Sequence, residues 1–348
     1  MFPRHVFTRQ FVVVGIILLA VLSLWHFQKL LYPAWTLLTL PFSWPRNSAQ
    51  FLISSESDGF DLSFASYNKF QTTAAQGYSD RVPAILHHIT WDSAVARATW
   101  NESRNSCLNL HPGWEHHLWT DENANQFVKE NFPDFKATWD AYPFPIQRRN
   151  ALKYLLLYHY GGVILDMDLK CKRALGPLRR FDFVAPAASQ TGFSIDFMMA
   201  SRQNELIGAI IHNLKVYNHR WFGLPYLAVL FSTGGHLAST IHASQRNRAE
   251  LKILAGPPDN FTLHCLNGRA STPIFDHLHD STLPSYNSPM SISFMSLDTC
   301  IALVLPFLII CIVGVMLVIV DRVHRAVNVW TCSWKNNLDT DLEKANPH

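Results

Sequence analysis

The amino-acid sequence predicts an α/β fold, with a mixed sheet flanked by helices and a transmembrane helix near each terminus. Three observations lead to this prediction. Short apolar runs of strand length alternate with helical stretches through the middle of the chain. One helical stretch ends at Gly161 and Gly162, directly before the apolar run 163–165. Two uncharged segments, 11–25 and 300–320, have the composition of membrane helices.

Length and composition narrow the class of protein. The chain has 348 residues, which allows one large domain or two small ones and excludes a disordered chain or a disulfide-stapled miniprotein. The 29 Lys and Arg against 26 Asp and Glu give a net charge of +3, which predicts no nucleic-acid partner. Charged residues make up only 16%, against roughly 25% in soluble domains, so part of the chain is expected in lipid.

The two uncharged segments predict the membrane topology. The first follows Arg4 and Arg9 and predicts a signal anchor or a cleaved signal peptide, and a buried core helix is the disfavoured alternative. The second has about 21 residues, enough to cross a core of roughly 30 Å, and basic residues follow it at once. We therefore expect both termini in the cytosol and the middle in the lumen of a secretory-pathway membrane. The predicted parts are cytosolic tails at 1–10 and 321–348, membrane helices at 11–31 and 299–320, a stem or linker at 32–80 and a lumenal domain at 81–298.

In a lumenal domain, asparagines can be glycosylated and cysteines can form disulfides. Asn101 and Asn260 each begin a glycosylation sequon without a central proline. Cys107, Cys171 and Cys265 allow at most one disulfide between them, and three buried free thiols are an equal alternative.

The globular part is predicted to begin with two strands and a helix. Residues 82–88 have the pattern of a strand with Pro83 at its edge, and residues 114–119 that of a second strand. Asp121 is then expected to cap a helix that runs toward Asn131.

The stretch 146–169 carries the clearest functional pattern. Its apolar residues recur at helical spacing up to His159, and the two glycines that follow predict a left-handed helix end. The apolar strand 163–165 then delivers Asp166 and Asp168 at its carboxyl end, where open α/β sheets bind ligands. Two carboxylates at this spacing can share one hard divalent cation, which would neutralise a diphosphate leaving group.

The same strand could instead begin a haloacid-dehalogenase-type phosphatase, in which the first aspartate is the nucleophile. That hypothesis is weaker, because such enzymes favour Thr or Val two places after the second aspartate. Lys170 stands there in this chain.

Around these aspartates the sequence resembles the fungal inositol-phosphorylceramide mannosyltransferases and their sugar-transferase relatives. The string QRRNALKYLLLYHYGGVILDMDLKCKRALGPL carries the resemblance, together with the segments 82–91, 112–121, 191–200 and 224–235. The resemblance implies a GT-A-like fold, a GDP-mannose donor, Mn²⁺ or Mg²⁺, and retention of the anomeric configuration. It also implies a sphingolipid acceptor such as inositol phosphorylceramide, and Golgi residence.

The resemblance also implies roles for individual residues. The implied site comprises Asp166 and Asp168 as metal and diphosphate ligands, Asp168 and Asp196 as catalytic residues, Arg148, Asn150 and Lys153 as phosphate or sugar contacts, and His87 and Trp91 beside the nucleotide base.

Several positions depart from the family pattern. The family's Arg-x-Asp…Arg reads Arg148, Asn150 and Lys153 here, and Ile195 replaces an Asn. These changes remove a carboxylate and a planar guanidinium fork, so donor binding or rate is expected to fall. The closing Trp-His motif aligns with Leu283 and Pro284. None of the neighbouring histidines is predicted as its replacement: His264, His277 and His279. The alternative function is therefore a weakened homologue that serves as a non-enzymatic subunit of a partner transferase.

Overall fold

The computed structural model describes residues 32–46, 48–90, 98–188, 191–219, 221, 224–266 and 270–278. The predicted tails and the predicted membrane helices at 11–31 and 299–320 lie outside these residues. Among the residues that are described, none belongs to a helix long and apolar enough to cross a membrane.

Two sheets organise the fold. The main sheet has six strands in the order β2-β1-β3-β6-β5-β7, and the second has three in the order β4-β9-β8. In the main sheet β1 is parallel to β2 and β3, β5 is parallel to β7, and β6 runs antiparallel to β3 and β5. The expected mixed α/β sheet is confirmed. The strands are β1 (Ile85–Ile89), β2 (Glu115–Trp119), β3 (Gly162–Leu165), β4 (Leu169–Cys171), β5 (Phe183–Pro186), β6 (Phe197–Ala200), β7 (Leu251–Leu254), β8 (Ala270–Ser271) and β9 (Phe275–His277).

The described helices of eight or more residues are numbered in chain order. They are α1 (Ala98–Leu110), α2 (Asp121–Asn131), α3 (Pro133–Ala141), α4 (Pro145–Tyr160), α5 (Glu205–Val216), α6 (Pro225–Ser232) and α7 (Gly235–Ser244). Residues 32–38 are also helical, and the other short helices are Leu40–Ser43, Ser48–Phe51, Ser55–Asp58 and the 3₁₀ turns Gly176–Arg180 and Phe261–His264. The cap of α2 differs by one residue from the prediction: Thr120 is the N-cap and its N–H donates to Asn123 Oδ1 at 2.7 Å, whereas Asp121 is already helical.

The glycine pair after α4 lets β3 lie close to β1. Gly161 and Gly162 have φ values of 69° and 97°, which favour glycine. A Cβ on Gly162 would lie 2.7 Å from the carbonyl oxygen of Ile85 in β1. The expected left-handed helix end has a positive φ but an extended ψ of −161° at Gly161, so the chain enters β3 at once.

The segment 32–80, predicted as a stem or linker, packs onto the domain. Phe51, Phe60 and Phe64 are fully buried in it. The N–H of Ile53 donates to the carbonyl of Ile253 in β7 at 3.0 Å. Phe60 and Phe64 contact each other and join the same buried cluster as residues of the main sheet, but the large apolar residues of the segment have no helical or strand period that would predict this packing. The packed domain therefore begins well before residue 81.

One disulfide joins the helix α1 to the strand β4. Cys107 and Cys171 are bonded, with their Cα atoms 4.9 Å apart, and Cys265 is a buried free thiol. Of the alternatives that the sequence left open, the structure contains one bridge. It ties α1 to the chain three residues after Asp168.

Candidate active site

The two aspartates lie in a tight turn between the two sheets. The backbone N–H of Asp166, just after β3, donates to the carbonyl of Asp196 at 2.9 Å, and the N–H of Leu169 donates back to the carbonyl of Asp166 at 3.1 Å. This turn carries the chain from β3 into β4. It therefore holds Asp168 beside β9, which pairs with β4 so that His277 lies opposite Leu169.

Asp166 forms a buried ion pair with a lysine of α4. Lys153 Nζ lies 2.7 Å from Asp166 Oδ1 and also donates to the carbonyl of Ile195 at 3.1 Å. The lysine side chain is 1% exposed and that of Asp166 is 16% exposed. Burial raises the pKa of Asp166 to about 6, and the nearby Asp196 and Asp168 add to this rise against the Lys153 charge. The lysine therefore compensates the charge of Asp166 only in part.

Asp168 has a histidine partner that sequence analysis did not select. His277 Nε2–H donates to Asp168 Oδ2 at 3.1 Å. Burial opposes the charged forms, but this contact gives Asp168 a pKa below its ordinary value and raises the pKa of His277 above its own. Of the other two histidines considered, His264 donates to the buried carbonyl of Leu62 at 2.7 Å, and His279 lies outside the described residues.

Two clefts meet at Asp166. The β1 cleft, of about 90 Å³, is lined by Ile89, Thr90, Trp100, Arg149, Asp166, Met167 and Asp168. The α6 cleft, of about 230 Å³, is lined by Ile146, Arg149, Asn150, Lys153, Asp166, Ile195, Asp196, Tyr226, Val229, Leu230, Gly234 and Gly235. Five of the predicted site residues thus come together here: Asn150, Lys153, Asp166, Asp168 and Asp196.

Arg149 borders both clefts, although the sequence pattern pointed to its neighbour. Its Nε is buried and has no hydrogen-bond partner among the residues that the structure describes. Its positive charge lowers the pKa of Asp166, against the larger effect of burial. Arg148 is not among the described lining residues of either cleft. Arg149 therefore places a guanidinium beside both clefts that Asp166 lines.

The polar residues of the α6 cleft are held by neighbours in the fold. Asp196 Oδ2 accepts from Ser194 Oγ at 2.8 Å, and the N–H of Asp196 donates to the same Oγ at 3.2 Å. Asn150 Nδ2 donates to Thr233 Oγ1 at 3.5 Å, next to the point where Tyr154 OH donates to the carbonyl of Thr233 at 2.9 Å. Both side chains are therefore positioned before any ligand arrives.

Of the two residues predicted beside the nucleotide base, only His87 lies in the described part of the chain, and it is not among the described residues that line either cleft. His87 is fully buried, its Nε2–H donates to the carbonyl of Gly161 at 3.0 Å, and its Nδ1 accepts from Trp119 Nε1 at 3.3 Å. With both ring nitrogens engaged, His87 joins β1 to β2 and to the end of α4. Trp91 lies outside the described residues.

The family comparison shows what the stretch before and around the aspartate pair is similar to. Residues 97–185 match the family described as a glycosyltransferase sugar-binding region containing a DXD motif. This part of the chain is therefore similar to DXD-type glycosyltransferases. The pair Asp166 and Asp168, with Met167 between them, lies inside that match.

Two fungal relatives confirm the predicted resemblance. The chain is 34% identical over 193 residues to inositol phosphoceramide mannosyltransferase 1 of Schizosaccharomyces pombe, covering 54% of this chain and 59% of the relative. It is 38% identical over 160 residues to mannosyl phosphorylinositol ceramide synthase SUR1 of Saccharomyces cerevisiae, covering 46% and 41%. The chain thus spans about half the length of these relatives. Among solved structures, the PaToxG glycosyltransferase overlaps 46% of this chain and 69% of its own, with 17% identity and a TM-score of 0.35.

Proposed function

We propose that this protein transfers a mannosyl residue from GDP-mannose to inositol phosphorylceramide, with a divalent metal and with retention of the anomeric configuration, on a GT-A-like fold. One observation carries the proposal: a carboxylate pair lies at the carboxyl end of β3, where two clefts share Asp166. The names of the two fungal relatives supply the donor sugar and the acceptor.

The aspartate pair fits a divalent cation, Mn²⁺ or Mg²⁺. Burial raises the pKa of Asp166, so the ionised carboxylate is only partly compensated by its neighbours. A cation bound beside it would favour the ionised form. Within the described part of the chain, no three His, Cys, Asp or Glu side chains are grouped as a metal site. Asp166 and Asp168 would therefore hold the ion together with oxygens of the donor diphosphate. An ion held there would supply positive charge to neutralise the leaving diphosphate.

The other site residues have different roles in the two clefts. In the β1 cleft, the guanidinium of Arg149 contacts a diphosphate oxygen, since a planar fork suits phosphate. In the α6 cleft, Asp196 faces the transferred sugar and Asn150 donates to one of its hydroxyls. Lys153 fixes the orientation of Asp166 through its 2.7 Å contact. Donor and acceptor would thus meet beside Asp166, where both clefts end.

We also propose that the domain faces the lumen of a Golgi membrane. The Cys107–Cys171 disulfide supports this placement, because such bonds persist in oxidising compartments. Both sequon asparagines, Asn101 and Asn260, are exposed on the domain.

Calorimetric titration of GDP in the presence of Mn²⁺ tests the site. Asp166→Asn and Asp168→Asn should each weaken GDP binding roughly tenfold to a hundredfold, the effect of losing a charge-assisted contact. Asp140→Asn is the control, because Asp140 is an exposed carboxylate on α3. Equal affinity of all three variants and the wild type would overturn the site assignment.

The subunit hypothesis has one supporting observation. Asn150 already donates to Thr233 and has no carboxylate to offer a sugar hydroxyl. Transfer from GDP-mannose to inositol phosphorylceramide in vesicles separates the two functions. Measurable transfer supports the enzyme. Tight GDP binding without transfer, unchanged by Asn150→Asp with Lys153→Arg, supports the subunit.

A further inference from the structure

The chain between the first uncharged segment and the sheet forms a helix with an exposed aromatic face. Residues 32–38 and Leu40–Ser43 are helical. Tyr32, Trp35 and Phe42 are 68%, 68% and 67% exposed, and Leu38 is 37% exposed. Their spacing of three or four residues places all four on one side of the helix. We call these four residues the aromatic face.

The opposite side of the helix is fixed to the domain. Leu37 and Leu40 are buried, and the carbonyl of Leu37 accepts from His236 Nε2 of α7 at 2.8 Å. Thr36 Oγ1 shares a 2.7 Å hydrogen bond with Tyr217 OH. These contacts fix the rotation of the helix about its own axis. The aromatic face therefore cannot turn inward to bury itself against its own domain.

We infer that the aromatic face lies in the headgroup region of a lipid bilayer. Tyr, Trp and Phe are the residues that settle at this depth, with the ring in apolar surroundings and the polar edge near water. No charged residue occurs from 30 to 45, so the whole helix can approach lipid without burying a charge. This inference rests on the membrane placement given under the proposed function.

The length of the preceding chain favours a bilayer over a protein partner. The uncharged segment 11–25 ends seven residues before Tyr32. Seven residues span at most about 24 Å when fully extended. A domain tethered this closely would keep the aromatic face at the surface of the bilayer that the segment enters.

The helix that carries the aromatic face is connected to the α6 cleft through Thr36 by a series of hydrogen bonds. Tyr217, which bonds Thr36, accepts at its carbonyl from Trp221 Nε1 at 3.1 Å, and the carbonyl of Trp221 accepts from the N–H of Leu224 at 3.0 Å. Tyr226, two residues further, lines the α6 cleft. Seating the helix in the bilayer would thus hold the α6 cleft close to membrane lipids.

Fluorescence quenching on the full chain in vesicles tests the inference. An environment-sensitive fluorescent amino acid is placed at Trp35 or Phe42, and at Phe70 as a matched control, since Phe70 is 62% exposed elsewhere on the domain. Vesicles contain phosphatidylcholine, with or without bromine atoms on the acyl chains just below the headgroups.

Brominated lipid should quench the probes at 35 and 42 at least twofold and leave the probe at 70 unchanged. Equal, weak quenching at all three positions would overturn the inference. The inference would also be overturned if the fluorescence of the probes at 35 and 42 changed with the density of protein in the vesicles but was not quenched by brominated lipid. That result would indicate that a second copy of the chain covers the face. The measurement does not require turnover, so loss of the proposed activity and loss of membrane contact are separate outcomes.

Discussion

Replacing Lys153 with methionine tests how much its buried ion pair with Asp166 contributes to the free energy of unfolding. Methionine keeps an unbranched apolar stem of similar length but removes the ammonium group. Asp166 would then be a buried carboxylate without its partner at 2.7 Å. Losing one partner of a buried pair costs about 3–5 kcal/mol, because the remaining charge is left uncompensated. We expect that loss in the free energy of unfolding.

A second lysine pair provides the control for distance. Lys136 Nζ lies 2.6 Å from Asp140 Oδ1 on α3, but the two side chains are 25% and 56% exposed. An exposed helical pair of this kind contributes about 0.3–0.5 kcal/mol. Lys136→Met should therefore cost roughly a tenth of what Lys153→Met costs, although the two N–O distances are nearly equal.

Urea unfolding of the full chain in detergent, followed by tryptophan fluorescence, measures both losses. Adding Asp166→Asn to Lys153→Met should recover most of the stability, because the orphaned charge is gone. At equal Mn²⁺ concentration, the ion should stabilise Lys153→Met more than the wild type, because the unpaired Asp166 carboxylate would bind it more tightly. An ion present at a hundred times its dissociation constant stabilises the folded state by about 2.7 kcal/mol. Equal costs for the two lysine variants would refute the reasoning, and so would a double variant as unstable as Lys153→Met alone.

Three further predictions concern the rest of the domain. Replacing Cys107 and Cys171 with serine should lower the free energy of unfolding by about 4 kcal/mol, since the disulfide closes a loop of 64 residues. Urea unfolding of the wild type with and without reductant, and of the variant, measures this loss. Identical unfolding midpoints would contradict it. Asn260→Gln should remove one endoglycosidase-sensitive shift on a gel, whereas an unglycosylated wild type would contradict the lumenal placement. Burial lowers the pKa of His264 to about 4, so its contribution to stability is present above pH 6.5 and is lost as the pH falls from 6.5 toward 4. His264→Gln should flatten that pH dependence by up to about 1.4 kcal/mol per unit, and an unchanged slope would contradict the assignment.

The position of the aspartate pair was predictable because every feature that sets it is local. An apolar strand, two glycines before it and two carboxylates after it all occur within eight residues. The glycines are required by their positive φ values and by the 2.7 Å approach to Ile85. Local backbone conformation and strand burial therefore predict the same position for the aspartate pair, and both can be inferred from the sequence.

The histidine at Asp168 was not predictable in the same way. His277 lies more than a hundred residues away along the chain and reaches Asp168 only because β9 pairs with β4. Both strands have three residues, too few for an alternating pattern to fix their pairing. Such a contact depends on the register of a small sheet, which hydrophobic periodicity does not determine.

The arginine of the site was missed for a different physical reason. Successive residues on a helix point about 100° apart, so Arg148 and Arg149 face different directions. An amphipathic helix reveals its inner face, but α4 is buried continuously from Asn150 to Leu157. The sequence therefore establishes that α4 is a buried helix without establishing which of the two arginines borders the clefts.

Arg149 changes the interpretation of Asn150 and Lys153, the two residues of α4 that depart from the family pattern. Lys153 holds Asp166 and the carbonyl of Ile195 together, a task for which a point charge on a flexible stem is sufficient. The guanidinium fork that phosphate prefers is still present, because Arg149 supplies it at the junction of both clefts. Lys153 and Arg149 thus both keep positive charge beside Asp166. A guanidinium at that junction is what donor binding requires, so the substitutions at Asn150 and Lys153 do not by themselves favour the subunit over the enzyme.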